Sequence, residues 1–367
     1  MKARERNDLI KDNLEKMYNT AAGEEIVATP VEEELNNIVS SKVHSFREVL
    51  LCVIVQMMIN SKLRATENWE AFNARGIYDN GPVKEFLINK GIPRGKSGPL
   101  NISKGTEALN EAWVAGRRKG PTKDVATQVV LVLRYLENNN LFDKVEAVGI
   151  SLIKKMLDDA ERIKHLSVDI PASKDPDRLI DLCNRLITNV PDEGNTPQQI
   201  VAKLLKCYHS SIHSSIDVTG GEDRASVTST TSNKPGDITE ECCGRILKVY
   251  EITIKPFDEG RIVDSYDCIE KYKQHSEQQI HEVIVICRPE DCPEHIQKSG
   301  FELYIGSVEH QDVKYYFWNI FEWIASMLQR MPDDGKELFS VALNGYINDI
   351  NTSEAVKVEW RKILGIE

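Results

Sequence analysis

Asp237 and Glu251 are the residues of this chain whose types and spacing point most directly to chemistry. Asp237 closes the run Lys234-Pro235-Gly236-Asp237, and Glu251 opens Glu251-Ile252-Thr253-Ile254-Lys255. Between them, Ile238 to Glu241 and a second apolar alternation through Ile246, Val249, Tyr250, Ile252 and Ile254 flank Cys243-Gly244, a pattern that predicts a hairpin with a tight turn. Side chains alternate across a strand, so Glu251, Thr253 and Lys255 are expected on one face, with Asp237 brought near Glu251 by the pairing. Two converging carboxylates would hold Mg²⁺, a hard cation that takes oxygen ligands and keeps waters. Lys255 would orient or deprotonate an attacking water and stabilise developing phosphate charge, with Thr253 as a supporting hydroxyl; phosphodiester hydrolysis is the reaction such groups suit. The Ser/Thr-rich stretch just before adds Glu222 and Asp223 as further acids, Glu222 as an extra metal ligand, and Arg224 and Lys234 as phosphate contacts. The competing reading is a solvated sheet edge. The Pro-Gly entry to Asp237 and the place of Glu251 between apolar neighbours favour chemistry.

The elements that must position these residues form an α+β chain of two domains, a number that suits its 367 residues. Residues 1–215 read as an all-helical domain, with helices expected over Ser45 to Met58, Pro82 to Asn89, Lys104 to Ala115, Lys123 to Glu137, Leu152 to Ile163, Pro176 to Thr188 and onward from Thr196. Residues 216–367 read as a mixed α/β domain. Ile216 to Lys234, rich in Gly, Ser and Thr, is a linker or a functional loop. After the hairpin come a helix over Ile262 to Gln278, a strand over Val283 to Cys287, a strand over Glu302 to Ile305, and helices over Lys314 to Arg330, Lys336 to Asp349 and Glu354 to Ile363.

Charge first argues against a nucleic-acid partner, since the formal net charge is −11. Resolved along the chain it does not. Between Ala71 and Lys123 ten basic residues face four acidic ones, a net +6 that leaves −17 for the remainder. Phosphate contacts depend on local Lys and Arg, so a duplex partner is compatible with an acidic chain. Within the island, Ile92 to Asn101 is expected as a loop in which Arg94, Lys96 and Asn101 contact DNA, with Arg117 and Arg118 as weaker contacts. Gly95-Lys96-Ser97 lacks the earlier glycine and the leading strand of a P-loop, because position 90 is lysine, so no nucleotide cofactor is expected.

The Pro235-Gly236-Asp237 and Glu251 to Lys255 segments resemble the PD-(D/E)XK nuclease superfamily. Its core is a helix, a mixed sheet with the acidic pair on adjacent strands, a following helix and a further strand. The departure is at the last step of the motif, where Thr253 stands two residues beyond Glu251 and the first lysine is Lys255. Together with the helical first half, its Tyr78-Asp79-Asn80-Gly81-Pro82 turn and the Gly95 to Asn101 loop, the chain resembles type II restriction endonucleases of the SacI family. The resemblance implies a bacterial enzyme that recognises a short double-stranded DNA sequence, cuts both strands with Mg²⁺ and acts as a homodimer.

Other function classes are a DNA-binding regulator without catalysis and a helical protein-interaction scaffold. A Cys-His hydrolase built from Cys207, His209 and His213 lacks an orienting acid or an oxyanion loop. Zinc is not expected, because neither Cys242-Cys243 nor Cys287 with Cys292 has the doubled ligand spacing of a zinc site. The apolar run from Val49 to Ile59 is too short for a membrane span, and Met1 to Glu15 has no apolar signal core, so a cytoplasmic location is expected.

Overall fold

A computed structural model of the chain describes residues 2–23, 28–95, 100–117, 120–138, 141–221, 234–276 and 278–366. The chain forms two compact units, Met1–His165 and Leu166–Glu367.

Among the described residues the first unit is helical: α1 (Ala3–Gly23), α2 (Glu32–Val39), α3 (Ser45–Ile59), α4 (Ala74–Tyr78), α5 (Pro82–Asn89), α6 (Leu100–Ser103), α7 (Glu111–Ala115), α8 (Pro121–Asn138) and α9 (Phe142–Lys164). Its centre is α3, buried from Ser45 to Met58, with α1, α8 and α9 packing apolar stripes into the same core. The stripe of α1 is Ile10, Leu14, Met17 and Ala21, at helical spacing. Lys104 to Ala115, expected as one helix, is helical only from Glu111, as α7: α6 ends at Ser103, Gly105 takes φ +68°, and Asn110 caps α7 by accepting the Ala112 amide at 3.0 Å.

Among the described residues the second unit is a seven-stranded mixed sheet covered by helices on both faces. Its strands are β1 (Asp217–Gly220), β2 (Ile238–Cys242), β3 (Arg245–Ile252), β4 (Glu282–Cys287), β5 (Gln297–Lys298), β6 (Tyr304–His310) and β7 (Val313–Asn319), in the order β1-β2-β3-β4-β7-β6-β5. The first three run antiparallel, β4 is parallel to both β3 and β7, and β6 returns antiparallel. The helices are α10 (Pro176–Asn189), α11 (Asn195–Ser211), α12 (Glu259–His275), α13 (Ile320–Arg330), α14 (Asp333–Asn348) and α15 (Glu354–Ile363). One sheet face, with Tyr250, Ile252 and Ile286, packs against α10, α11 and α13 to α15. The other, with Val249, Val283, Val285, Tyr315 and Phe317, packs against α12.

Three expectations are corrected. The helical half ends at His165 rather than at 215, because Leu179, Leu186, Ile200 and Leu204 of α10 and α11 bury against sheet residues Ile238, Tyr250 and Ile252. Residues 217–220, expected within a linker or loop, are a strand whose Gly220 pairs with Ile238. Lys314 to Asn319 is strand rather than helix: Val313, Tyr315 and Phe317 alternate inward, and β7 pairs with β4 along its length. The helix begins only at Ile320, where Asn319 accepts the Phe321 amide at 3.2 Å.

Candidate active site

The β2–β3 hairpin is built as its sequence demands, with Cys243 at φ +52° and Gly244 at +75° in the turn. Its other end carries the acids. The Asp237 amide donates to the Tyr250 carbonyl at 2.9 Å, and the Ile252 amide donates to Asp237 Oδ2 at 2.9 Å, which sets the Asp237 carboxylate beside Glu251. Two glycines permit this backbone course. A Cβ on Gly236 would meet Val249 Cγ1 at 2.6 Å and the Tyr250 carbonyl oxygen at 2.9 Å; one on Gly220, at φ +91°, would meet the Asp237 carbonyl oxygen at 2.1 Å.

Glu251 is 7 % exposed and Asp237 is half-buried. Burial, then the neighbouring Asp237 charge, pushes the Glu251 carboxyl up to about 8, and burial also raises Asp237. Near neutral pH Glu251 is therefore the protonated partner of the pair and donates to Asp237. Ser265 Oγ on α12 donates to Glu251 Oε1 at 3.1 Å. Among the described residues no group of three His, Cys, Asp or Glu gathers as metal ligands, and the carboxylates that meet here are Asp237 and Glu251. That set fits Mg²⁺, which is held by one or two carboxylates and fills its remaining positions with waters and phosphate oxygens. The electrostatics agree: like charges gathered in a low-dielectric place hold a proton between them that a divalent cation would displace.

A cation that acts on both acids is Arg261, on the first turn of α12. Asp258 caps that helix by accepting the Arg261 amide at 3.0 Å, and the Arg261 guanidinium lies 5.0 Å from the Phe257 ring centre. Its Nη1 donates to Thr253 Oγ1 at 2.5 Å. Arg261 and Ser265 are four residues apart, hence on one helix face. Neither was among the residues expected from the motif. The available signal was Ser265 itself, a polar residue at a buried position in the Ile262, Ser265, Cys268, Ile269 stripe.

Thr253 is buried, but Lys255 does not share the face of Glu251 as expected. The strand ends at Ile252, and Thr253 Oγ1 accepts the Lys255 amide at 3.0 Å and donates to the Lys255 carbonyl at 2.9 Å, folding the chain into a turn that leaves Lys255 exposed. Lys234, half-buried, leads directly into the Pro-Gly-Asp turn. Glu222, Asp223 and Arg224 lie outside the described residues.

The basic island sits in the first unit. Arg94 is half-buried, and the chain on either side of it is held from beneath: Arg47 Nη2 donates to the Pro93 carbonyl at 2.6 Å, and the Gly95 amide donates to Glu48 Oε1 at 2.6 Å. Arg47 is fully buried and also pairs with Asp159 at 2.8 Å. Burial pushes the Glu48 carboxyl up to about 7, against the pull of the Gly95 amide, Tyr78, Arg47 and Arg94. Asn101, expected on a loop, is an exposed residue of α6. Arg117 donates to the Ile102 carbonyl at 2.8 Å and the Trp113 carbonyl at 3.3 Å, which ties α6 to α7. Lys96 and Arg118 lie outside the described residues.

Cys207, His209 and His213 serve different ends. Cys207 joins an apolar cluster and His213 is exposed. His209 Nε2 meets Glu240 Oε1 at 2.9 Å and its Nδ1 meets Ser214 Oγ at 2.9 Å, so it joins the end of α11 to β2. Among the described residues no helix is long and apolar enough to cross a membrane. No family model and no curated protein matches the chain.

Proposed function

We propose that the chain is a Mg²⁺-dependent endonuclease that cuts double-stranded DNA at a specific sequence, a type II restriction enzyme of the PD-(D/E)XK superfamily similar to the SacI family. The observation that carries this reading is the Asp237–Glu251 pair: Asp237, immediately before β2 and held by the Ile252 amide, lies beside Glu251 of the antiparallel neighbour β3 in a largely buried place. The element order supports it: helix α11, the β1 to β3 meander with Asp237 at the entry to β2 and Glu251 on β3, helix α12, then β4 parallel to β3.

In this reading Asp237 and Glu251 hold the ion, which when bound supplies charge neutralisation at the phosphate and a more acidic water. The Ile252 amide and Ser265 hydroxyl keep one oxygen of each carboxylate in place. Arg261 presents a planar guanidinium of fixed fork geometry, so its part is to stabilise negative charge developing on the phosphate. Thr253 fixes that guanidinium. The motif lysine is thereby replaced in function by a helix-borne arginine, while Lys255, Lys234 and the island residues Arg94, Lys96 and Asn101 contact DNA. Arg117 and Arg118 are further DNA contacts of the first unit, and Glu222 and Arg224 are additional contributors from the segment preceding Lys234. A homodimer in a bacterial cytoplasm would present one site to each strand.

Incubation with plasmid DNA and Mg²⁺ followed by sequencing of the ends tests the proposal: discrete ends at one short sequence are expected, and chelation should abolish them. Cleavage unchanged in folded Asp237→Asn and Glu251→Gln proteins would remove it. A salt-sensitive gel shift with no cleavage in Mg²⁺ or Mn²⁺ would support the non-catalytic regulator instead.

A further inference from the structure

The β4 strand ends in a pair of thiols whose arrangement the hydrolytic reading does not use. Cys287 is fully buried at the last position of β4, and Cys292 is half-exposed after a short 3₁₀ turn, Pro289–Asp291. Their sulfurs lie 3.6 Å apart. The intervening residues hold the segment that follows Glu251. The Thr253 amide donates to the Ile286 carbonyl at 3.1 Å, Arg288 Nη2 donates to the Ile254 carbonyl at 2.9 Å, and the Phe257 amide donates to the Asp291 carbonyl at 2.8 Å. Arg288 and buried Asp291 brace one another through two hydrogen bonds of 2.7 and 3.1 Å. Three hydrogen bonds thus tie residues 253–257 to residues 286–291, on or immediately beside the stretch between the two thiols.

We propose that Cys287 and Cys292 are a reversible dithiol–disulfide couple, closed by small-molecule disulfides, whose oxidation state alters the tether on residues 253–257. The accessibilities assign the roles. Cys292 can be reached from solvent and attacks; Cys287 cannot, but lies in contact with the Cys292 sulfur and resolves. The hydrogen bond from the Cys287 thiol also holds the Cys292 thiol below its ordinary range, favouring the thiolate. In the first step the Cys292 thiolate attacks one sulfur of the small disulfide, forming a mixed disulfide and releasing one thiolate. Cys287 then loses its proton to that thiolate or to solvent and attacks the Cys292 sulfur, expelling the second thiolate. The protein gives up two electrons and two protons, and the small disulfide becomes two thiols. To form the new bond the sulfurs must close from 3.6 Å to about 2.05 Å, which the turn at 288–291 has to accommodate.

The test uses the full chain with Cys242→Ser and Cys243→Ser, which removes the thiols of the β2–β3 turn. Oxidised glutathione is added, free thiols are alkylated, and the peptide spanning both cysteines is weighed. The couple predicts loss of both alkylation sites together with two hydrogens, reversed by dithiothreitol. With Cys287→Ser, or Cys287→Ala where serine is not tolerated, it predicts a glutathione adduct that persists on Cys292. Amide hydrogen exchange at Thr253 and Phe257 should change at least severalfold on oxidation. Full alkylation of both thiols after treatment, or a persistent Cys292 adduct with Cys287 free in the otherwise unchanged protein, would overturn the couple. Unchanged exchange would overturn its link to residues 253–257. Neither readout measures cleavage, so failure here is distinct from failure of the nuclease reading.

Discussion

Two buried acids with raised pKa values, Glu48 in the helical unit and Glu251 in the α/β unit, arise in different ways. Glu48 is a single carboxylate whose proton affinity comes from burial, while a backbone amide, a tyrosine and two arginines oppose it. It pins the chain at Gly95, so its chemistry is already answered by the fold. Glu251 is raised by burial and then by a second carboxylate, Asp237, that the hairpin delivers to it. A fold selected for stability alone gains nothing from gathering two like charges in a low-dielectric place. The difference teaches that burial by itself is enough to raise Glu48, whereas at Glu251 a like charge delivered by the hairpin adds to burial, and it is on that pairing that the proposed cation site rests.

The largest expected effect separates the two acids outright. Asp237→Asn and Glu251→Gln should each lower single-turnover cleavage of duplex DNA by about 10³-fold or more, since a metal centre contributes several kcal/mol of charge stabilisation. Glu48→Gln should leave that rate within about an order of magnitude. Equal losses in rapid-quench measurements would collapse the distinction.

Next in size is Arg261→Ala, expected to slow cleavage by about 10²-fold, as removal of a preorganised charge-stabilising donor does. Arg261→Lys should restore part of the rate. Lys255→Ala should cost a few-fold at most, read mainly in DNA affinity. A larger loss at Lys255 than at Arg261 would return the motif's role to the lysine.

The pH dependence of stability distinguishes the acids again. Each has a folded pKa above the ordinary carboxylate value, so the folded state binds more protons than the unfolded state across the interval. Stability is lost as pH rises, from about 4.5 to about 7 for Glu48 and to about 8 for Glu251. Thermal melts should therefore show a falling Tm over pH 5 to 8. Mg²⁺ should remove the Glu251 part by displacing its proton and leave the Glu48 part unchanged. A Glu251→Gln protein whose Tm profile still responds to Mg²⁺ in the same way would contradict that assignment.

The smallest effect concerns Arg94. Arg94→Ala should reduce the salt dependence of DNA affinity by about one unit of slope, without altering the cleavage rate of bound DNA. An unchanged slope in a salt series would remove Arg94 from the phosphate contacts.

Much of this was legible in residue order. The hairpin was written in Cys243-Gly244 and its flanking alternation, and Asp237 and Glu251 could be named because each stands at a position where alternation and turn chemistry leave few alternatives. Lys255 was misplaced because period-two counting assumes that the strand continues. The Thr253 hydroxyl ends it, through local hydrogen bonds that compete with the ladder. Residues 314–319 failed for the opposite reason: their aromatic run is compatible with either period, and pairing with β4 decides.

By itself, then, the sequence determined the class of structure, the acid pair and the uneven distribution of charge, because these depend on near neighbours and composition. Only the tertiary structure decided that α10 and α11 belong with the sheet, that Arg261 and Ser265 complete the acid pair, that Arg117 ties two short helices, and that Cys287 faces Cys292 across a tether. The physical reason is common to most of these: they are contacts between segments whose meeting is set by which apolar faces must be buried together.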